Sequence, residues 1–268
     1  MKLKKKITSF GALYLVDALG KELATLKLDP TDTSDKKWDA DIAAEADVRI
    51  PKNAATTFAI TAKLRPWGQG GVSGEMIEVE KLTLIVQNVS EGMSSELLPD
   101  TKNFPRIQTA QTLLDDIRNA GATAGTLSAG TKKTVATFSL AGTLLPQTSI
   151  LDILQLQFLV TASGVDFANP SLAITGADNA SACGLTGNVI SCSAPDAMRD
   201  VSRGLTLELR GDVTRHLGDV PHTLQITMDN PGTIDIPGAA QWSDGSTTFT
   251  WIESPQPIAE GTYWTVIP

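Results

Sequence analysis

The stretch SACGLTGNVISCS, residues 181–193, contains both cysteines of this 268-residue chain. Gly187 and Asn188 lie at its centre, and residues of these types tolerate the φ angles of the two-residue turns that join β-hairpins. Counting outward from this turn places Cys183 opposite Cys192 in a non-hydrogen-bonded pair, in which Cα atoms are about 4.5 Å apart. That separation lies at the short end of the disulfide range. The stretch therefore predicts an antiparallel hairpin with a disulfide candidate across it.

Two other states of the cysteines are open at this point. Reduced thiols are one of them. A metal clip is the other, but zinc would need two more ligands, and His216 and His222 have no second cysteine pair to join. A bridge would close a short loop and so fix the hairpin register more than it stabilises the whole fold. It would also indicate an oxidising compartment.

Segments with a period of two residues dominate the rest of the sequence. In each, apolar side chains alternate with mostly polar ones, as in a strand with one buried and one solvated face. Clusters of Gly, Pro, Asn and Asp separate the segments, which suits the turns of antiparallel sheets. The clearest examples are residues 58–64, 82–87, 154–160, 172–174, 205–210 and 224–228. The chain is therefore predicted to be mainly β, built from antiparallel β-sandwich regions.

One segment departs from this pattern and has helical spacing. Within NFPRIQTAQTLLDDIRNAG, residues 103–121, Pro105 suits a first helical turn and Gly121 suits a stop. The apolar residues that recur on one helical face are Ile107, Ala110, Leu113, Leu114 and Ile117. The segment is predicted to form one amphipathic connecting helix of about four turns, which runs into the small-residue stretch AGATAGTLSAGT, residues 120–131.

These patterns divide the chain into four parts. An N-terminal β domain is expected over residues 1–103, and the connecting helix with its small-residue linker over residues 104–130. A β-sandwich is expected over residues 131–230, and a C-terminal β unit rich in aromatic residues over residues 231–268. In that last unit the aromatic side chains either form a core or are exposed for a partner to dock. The docking candidates are Trp242, Trp251, Tyr263 and Trp264.

Composition limits the classes of function. The net charge of −8 argues against general nucleic-acid binding, because phosphate contacts require clustered Lys and Arg. No apolar run approaches the roughly 20 residues of a membrane helix, so membrane insertion is not expected. The basic start KLKKK, residues 2–6, and the apolar residues after it imitate an export signal. Because the apolar part is short and interrupted, residues 10–16 are instead expected to form a first strand.

Motifs for nucleophilic or nucleotide chemistry are lacking. No G-x-S-x-G elbow occurs in the sequence. Ser34 and Lys37 match S-x-x-K but lie in a polar loop without the partner motifs, so the match is interpreted as chance. The glycines of residues 68–74 miss the spacing of a dinucleotide-binding loop and are interpreted as a hairpin loop. We therefore predict no catalytic residue and no cofactor-binding residue.

Acidic and histidine clusters have similarly plain interpretations. The aspartates within residues 29–41 lack the order of an EF-hand, so a solvated loop is favoured over a calcium site. His216, with Asp212 and Asp219 nearby, has the composition of a base and its orienting acid, but the sequence indicates no nucleophile. No metal ligand is predicted. A β-sandwich hydrolase with carboxylates brought together only by folding is the weakest hypothesis.

Two stretches resemble known protein families. NASACGLTGNVISCSAPDAMRDVSRGLTLELRGDVT, residues 179–214, is similar to the C-terminal half of the Ig-like repeats of bacterial cell-surface proteins. In those repeats a cysteine hairpin, a turn-rich link and an alternating strand follow in that order. TLQITMDNPGTIDIPGAAQWSDGSTTFTWIESP, residues 223–255, resembles a segment of bacteriophage tail and fibre proteins. The positions that carry this second resemblance are Ile234, Pro237, Trp242, Gly245 and Phe249.

The first resemblance implies an Ig-like sandwich, and the second implies a virion structural component. The leading hypothesis is accordingly a non-enzymatic structural protein of a virus particle: a phage tail, fibre or capsid-surface component. It would act by self-association and by docking to other virion proteins through sheet edges and apolar patches. The alternative is a secreted or surface-anchored bacterial adhesin that binds glycan or protein, with a host-surface glycan among its partners.

Overall fold

The computed structural model describes residues 1–42, 48–50, 55–88, 90–100, 104–144, 150–194, 201, 204–218, 221–228, 230–252 and 261–268. Within these ranges the chain divides into two compact units, Met1–Thr109 and Ala110–Pro268. Both are built from β-strands, and the described residues contain no helix. No described segment is thus a helix with the length and apolarity needed to cross a bilayer.

The first unit contains short and medium strands. They are Lys2–Leu3 (β1), Phe10–Asp17 (β2), Glu22–Leu28 (β3), Trp38–Asp39 (β4), Phe58–Leu64 (β5), Met76–Ile77 (β6), Val79–Lys81 (β7), Leu84–Gln87 (β8), Ser94–Leu97 (β9) and Ile107–Gln108 (β10). Four of them form an antiparallel sheet in the order β4-β3-β2-β5, and the others pair as β1-β7, β6-β10 and β8-β9. The first strand expected over residues 10–16 is confirmed as β2.

The core of this unit lies on one face of β2. Phe10 and Leu13 are buried at a spacing of three residues, and Leu15 packs against them. A register shift between Phe10 and Ala12 opposite β5 keeps Phe10 and Leu13 on the same side of the strand. Leu26 of β3 joins them, and Phe10 meets the edge of Trp38 with ring centroids 5.8 Å apart. The small N-terminal core therefore depends on bulged rather than regular strands.

The second unit holds the longer strands. They are Thr112–Asn119 (β11), Ala124–Ser128 (β12), Gly130–Leu144 (β13), Asp152–Ser163 (β14), Val165–Ile174 (β15), Ala180–Ala182 (β16), Gly184–Thr186 (β17), Val189–Ser193 (β18), Leu205–Arg215 (β19), Thr223–Met228 (β20), Gly232–Thr233 (β21), Ile236–Pro237 (β22), Ala240–Ser243 (β23), Thr248–Phe249 (β24) and Thr262–Ile267 (β25). The predicted strands within residues 154–160, 172–174, 205–210 and 224–228 are all confirmed.

Two sheets enclose one core in this second unit. The first has the order β11-β13-β19-β15-β16, and the second has β12-β25-β20-β14-β18-β17, with β23 also pairing with β14 and β24 with β23. Phe138 of the first sheet stacks on Phe158 of the second with ring centroids 4.9 Å apart. The pair β12-β25 is parallel. This arrangement is a β-sandwich, as predicted, and β23 to β25 of the aromatic-rich C-terminal segment belong to its second sheet.

The predicted connecting helix is wrong, and a β-bulge explains the error. The segment forms β10 and β11 instead. In β11, Leu114 pairs with Gly142 and Asp116 pairs with Ala141, so Asp115 is an extra residue. A bulge of this kind puts residues three apart on the same face, and Leu114 and Ile117 are both buried as a result. Their spacing is one that an amphipathic helix also produces, and sequence alone did not separate the two.

Candidate functional site

The two cysteines form the predicted disulfide, with Cα atoms 4.5 Å apart. β17 and β18 pair in the register counted from the sequence. Gly187 has a φ of 60°, whereas Asn188 is not among the residues with positive φ. That combination is typical of a type II′ turn with glycine at its first central position. The hairpin, its turn and its bridge are thus confirmed, and the alternatives of free thiols or a metal clip do not apply to this structure.

The disulfide lies where the chain passes from one sheet to the other. Cys183 stands between β16, the last strand of the five-stranded sheet, and β17, the last strand of the second sheet. Its backbone N–H donates to the carbonyl of Pro170 at 2.8 Å and so extends the pairing of β15 with β16. Cys192 lies in β18 and is fully buried in the shared core. The bridge therefore ties the crossover between the two sheet edges to β18, the strand next to the edge strand of the second sheet.

Two of the four aromatic docking candidates are core residues. Trp242 is 0% exposed and stacks on Phe249 with ring centroids 4.3 Å apart. Trp251 meets the edge of Trp242 at 6.1 Å and is also buried. The indole N–H of Trp242 donates to the backbone carbonyl of Trp251, which satisfies the polar atom of this buried ring. Neither indole presents an exposed face, so of the two interpretations open for these residues the structure has the core.

The other two candidates are neighbours on β25 and point to opposite sides of its sheet. Trp264 lies on the inner side, where its indole N–H donates to the carbonyl of Val135 at 2.7 Å. Its ring covers Gly125, where a Cβ atom would lie only 2.9 Å from a ring carbon. Tyr263 lies on the outer side and is 43% exposed. Among the predicted docking residues, Tyr263 is therefore the one with an exposed side chain.

Within residues 29–41, two aspartates accept hydrogen bonds from the loop's own backbone and from a lysine. Asp32 accepts hydrogen bonds from the Ser34 hydroxyl and from the backbone N–H groups of Ser34, Lys36 and Lys37. These bonds, that of the Ser34 hydroxyl first, lower the pKa of Asp32. The hydrogen bond donated by Lys37 lowers the pKa of Asp29 to about 2. Ser34 and Lys37 of the S-x-x-K match thus serve this loop, and an ammonium group neutralises its carboxylates.

The histidine cluster has a different partner from the one expected. His216 pairs with Asp166 of β15, Nε2 to Oδ2 at 2.9 Å, and both side chains are exposed. Asp212 instead accepts hydrogen bonds from the Asn169 side chain and the Lys132 backbone N–H, both at 2.8 Å. Asp219, also part of the prediction, lies outside the described residues. The cluster is therefore a solvated surface pair, of a kind that contributes little stability.

Comparisons with known proteins add little to this geometry. The chain matches no protein-family model and no curated protein. Solved structures to which it is similar include three at 10–11% sequence identity. The match to the C-terminal domain of the AgI/II polypeptide BspA of Streptococcus agalactiae covers 97% of this chain and 82% of that domain's chain, with a TM-score of 0.26 and 11% identity. BcpA, the major pilin subunit of Bacillus cereus, covers 99% and 66%, with a TM-score of 0.25 and 10% identity. The full-length major pilin RrgB of Streptococcus pneumoniae covers 87% and 44%, with a TM-score of 0.24 and 10% identity. Likeness at this level carries no argument about what this chain does.

Proposed function

We propose that this chain is a non-enzymatic protein displayed outside the reducing cytoplasm, where it acts as a surface adhesin through the exterior of its β-sandwich. The observation that carries the proposal is the disulfide between Cys183 and Cys192. Disulfides persist in secreted and surface proteins and are rare where thiols are kept reduced. Both cysteines of the chain are engaged in the bridge, so it belongs to the folded structure rather than to a spare thiol.

The position of the bridge supports the same proposal. A sheet edge with unpaired N–H and C=O groups is a place where proteins associate or aggregate. The crossover at Cys183 connects β16, the edge strand of the first sheet, to β17, the edge strand of the second. The bridge to Cys192 fixes the position of this crossover. Linking the two sheet edges in this way limits unwanted association of a protein that lies outside the cell. The sandwich then contributes a rigid platform, with the sheet faces and loops available for binding.

A virion structural component is the second candidate, and its support is the resemblance of residues 223–255 to phage tail and fibre proteins. In this structure that segment runs from β20 to beyond β24, with β21 and β22 forming a small hairpin. Virus particles are also among the settings in which disulfides persist. The two candidates differ in assembly: a virion part forms rings, tubes or other fixed oligomers, whereas an adhesin domain stays monomeric.

Thiol trapping tests the proposal directly. Cells that produce the protein are lysed in an alkylating agent without reductant, and the intact mass of the purified chain is measured before and after reduction with further alkylation. The expected result is no alkyl group before reduction and two after it. Two alkyl groups at the first step would place the protein in a reducing compartment and contradict display at the surface. Light scattering and electron microscopy of the same sample then separate the adhesin from the virion component.

A further inference from the structure

The outward face of the second sheet of the sandwich has an unusual composition. Along each strand, side chains alternate between the core and the exterior. The core side holds Trp264, Ile226 and Phe158. The neighbouring residues on the exterior side include Tyr263 and Gln225, which stand directly opposite each other on β25 and β20. The registers of the six strands thus assign every outward residue in this part of the sheet.

We call this surface the hydroxyl face. Its residues carry mainly hydroxyl and amide groups, and none of them is charged. They are Ala124, Thr126 and Ser128 of β12; Tyr263, Thr265 and Ile267 of β25; Thr223, Gln225 and Thr227 of β20; Gln155, Gln157, Leu159, Thr161 and Ser163 of β14; Ser193, Ser191 and Val189 of β18; and Gly184 and Thr186 of β17. The charged residue Asp152 also faces outward, but it lies at the far end of β14 opposite Ser243 of β23, outside this surface. With 19% charged residues in the chain, 19 positions chosen at random would include between three and four.

The outward face of the opposite sheet shows that this absence of charge is local. There, Glu208 and Arg210 form an ion pair at 2.8 Å on the central strand β19. Asp116 and Arg118 form a second pair on the edge strand β11. The outward faces of both sheets are solvated, so solvation alone does not explain the difference. The hydroxyl face has hydrogen-bond donors and acceptors but no charged side chains.

Rows of matching groups cross the hydroxyl face. Thr126, Thr265, Thr223 and Ser163 stand opposite one another on four successive strands, which places four hydroxyls in one line. In the next row Tyr263 is followed by Gln225 and Thr161, while Ala124 leaves its other side open. Neighbouring strands are about 4.8 Å apart, so a row across four strands is about 14 Å long. The whole face of six strands extends over about 24 Å, with β18 and β17 displaced along β14 from these rows. The surface is long enough for a chain molecule rather than a single small ring.

The chemistry of this surface selects its ligand. Hydroxyl and amide groups both donate and accept hydrogen bonds, and the exposed ring of Tyr263 adds a rigid apolar platform with a polar tip. An anionic ligand would lose hydration here without gaining a countercharge. A protein partner would be expected to need a central apolar cluster, whereas the apolar side chains Leu159, Val189 and Ile267 are spread over the face.

We propose that the hydroxyl face binds a neutral glycan chain, with Tyr263 stacking against a sugar ring and the rows through Gln225 and Thr223 hydrogen bonding to its hydroxyl groups. This inference rests on the proposed adhesin function and names its ligand class. It uses a surface that the sequence patterns did not single out, apart from Tyr263. In the sequence, the outward positions of these strands already lack Asp, Glu, Lys and Arg. Only the strand order shows that they lie next to one another on one surface.

Titration calorimetry with the full-length oxidised chain tests the proposal. The neutral probes are cellohexaose, maltohexaose, mannohexaose and chitohexaose with all amines acetylated, and the charged probes are a heparin hexasaccharide and sialyllactose. The expected result is binding of at least one neutral hexasaccharide and of neither charged probe. Binding of the charged probes alone, or of no neutral probe, would overturn the proposal while leaving the thiol-trapping result for surface display untouched.

Three variants locate the binding surface. Tyr263→Ala removes the exposed ring, and Thr223→Lys places a charge in the row of hydroxyls; each is expected to weaken neutral glycan binding at least tenfold. Thr137→Lys is the matched control, since Thr137 stands opposite Glu208 on the outward face of the other sheet. Unchanged affinity in Tyr263→Ala and Thr223→Lys would overturn the assignment. A variant that changes the oligomeric state instead of the glycan affinity would also overturn the assignment, because the face would then be an interface between copies. Circular dichroism and thermal melting confirm that each variant is folded.

Discussion

Reduction of the bridge between Cys183 and Cys192 should lower the free energy of unfolding of the second unit by about 2.6 kcal/mol at 25 °C. The bridge joins residues at a sequence separation of 9, and the chain-entropy relation for closing so short a loop gives about 2.6 kcal/mol. Reduction changes no side-chain volume apart from the two added hydrogens. The effect therefore reports the constraint on the unfolded chain rather than a cavity in the core.

Urea unfolding with and without a phosphine reductant measures this difference. Trp242, Trp251 and Trp264 lie in the second unit, so a variant with Trp38→Phe and Trp67→Phe confines tryptophan fluorescence to it. For a unit of this size, the expected loss also corresponds to a decrease of about 8 °C in Tm, from the average unfolding entropy per residue. The slope of free energy against urea should change little, since a bridge across so short a loop hardly alters the surface that the unfolded chain exposes.

The double variant Cys183→Ser and Cys192→Ala is the control. It should unfold at lower urea than the oxidised protein and show no response to the reductant. A loss below about 1 kcal/mol on reduction of the native chain would refute the reasoning. It would mean that backbone pairing across the hairpin already restricts the unfolded ensemble, and that the cysteines add no constraint of their own.

Three further outcomes are expected. Trp242→Ala should destabilise the second unit by about 3–5 kcal/mol in urea unfolding, because it empties the buried site stacked on by the C-terminal aromatic residues. Deletion of Asp115 should leave this unit folded with a single cooperative thermal transition, since the deletion removes the bulged residue and regularises β11. Deletion of Thr137 should unfold it, because Thr137 lies in the part of β13, residues 136–140, whose pairing with β19 is continuous. The pKa of Asp29, lowered to about 2 by Lys37, means that its contribution to stability is complete above the unfolded pKa of about 3.9 and is lost as pH falls toward 2; Asp29→Asn should flatten that part of the pH profile of thermal stability.

Local signals in the sequence were sufficient for the cysteine hairpin and for several strands with regular alternation. The hairpin around Gly187 follows from a two-residue turn and a count of residues, and its bridge follows from the same count. Strands such as β19 and β20 follow from strict alternation, because Leu207 and Leu209 or Leu224 and Ile226 can share a face only at a period of two. These predictions needed no knowledge of which strand pairs with which.

Tertiary pairing decided what the sequence did not. The bulge at Asp115 exists because β13 supplies one residue opposite two of β11, and nothing in the segment itself distinguishes that arrangement from a helical face. The C-terminal tryptophans carried two interpretations for the same reason. Trp242 is buried because β23 pairs with β14 and brings its ring beneath the sheet, whereas Tyr263 is exposed by its parity on β25. Burial of an aromatic side chain is a property of strand order, which one sequence does not state.

The edges of the second sheet explain why binding is best assigned to its face. At one edge, β17 is only three residues long and is held to the other sheet by the disulfide crossover. At the other, β12 has five residues, and it carries small side chains that offer little apolar area. Short edge strands resist pairing with other chains, so strand addition is disfavoured at both ends. The charge-free surface between them is broad and rigid, and partners that recognise side chains rather than backbone would meet the protein there.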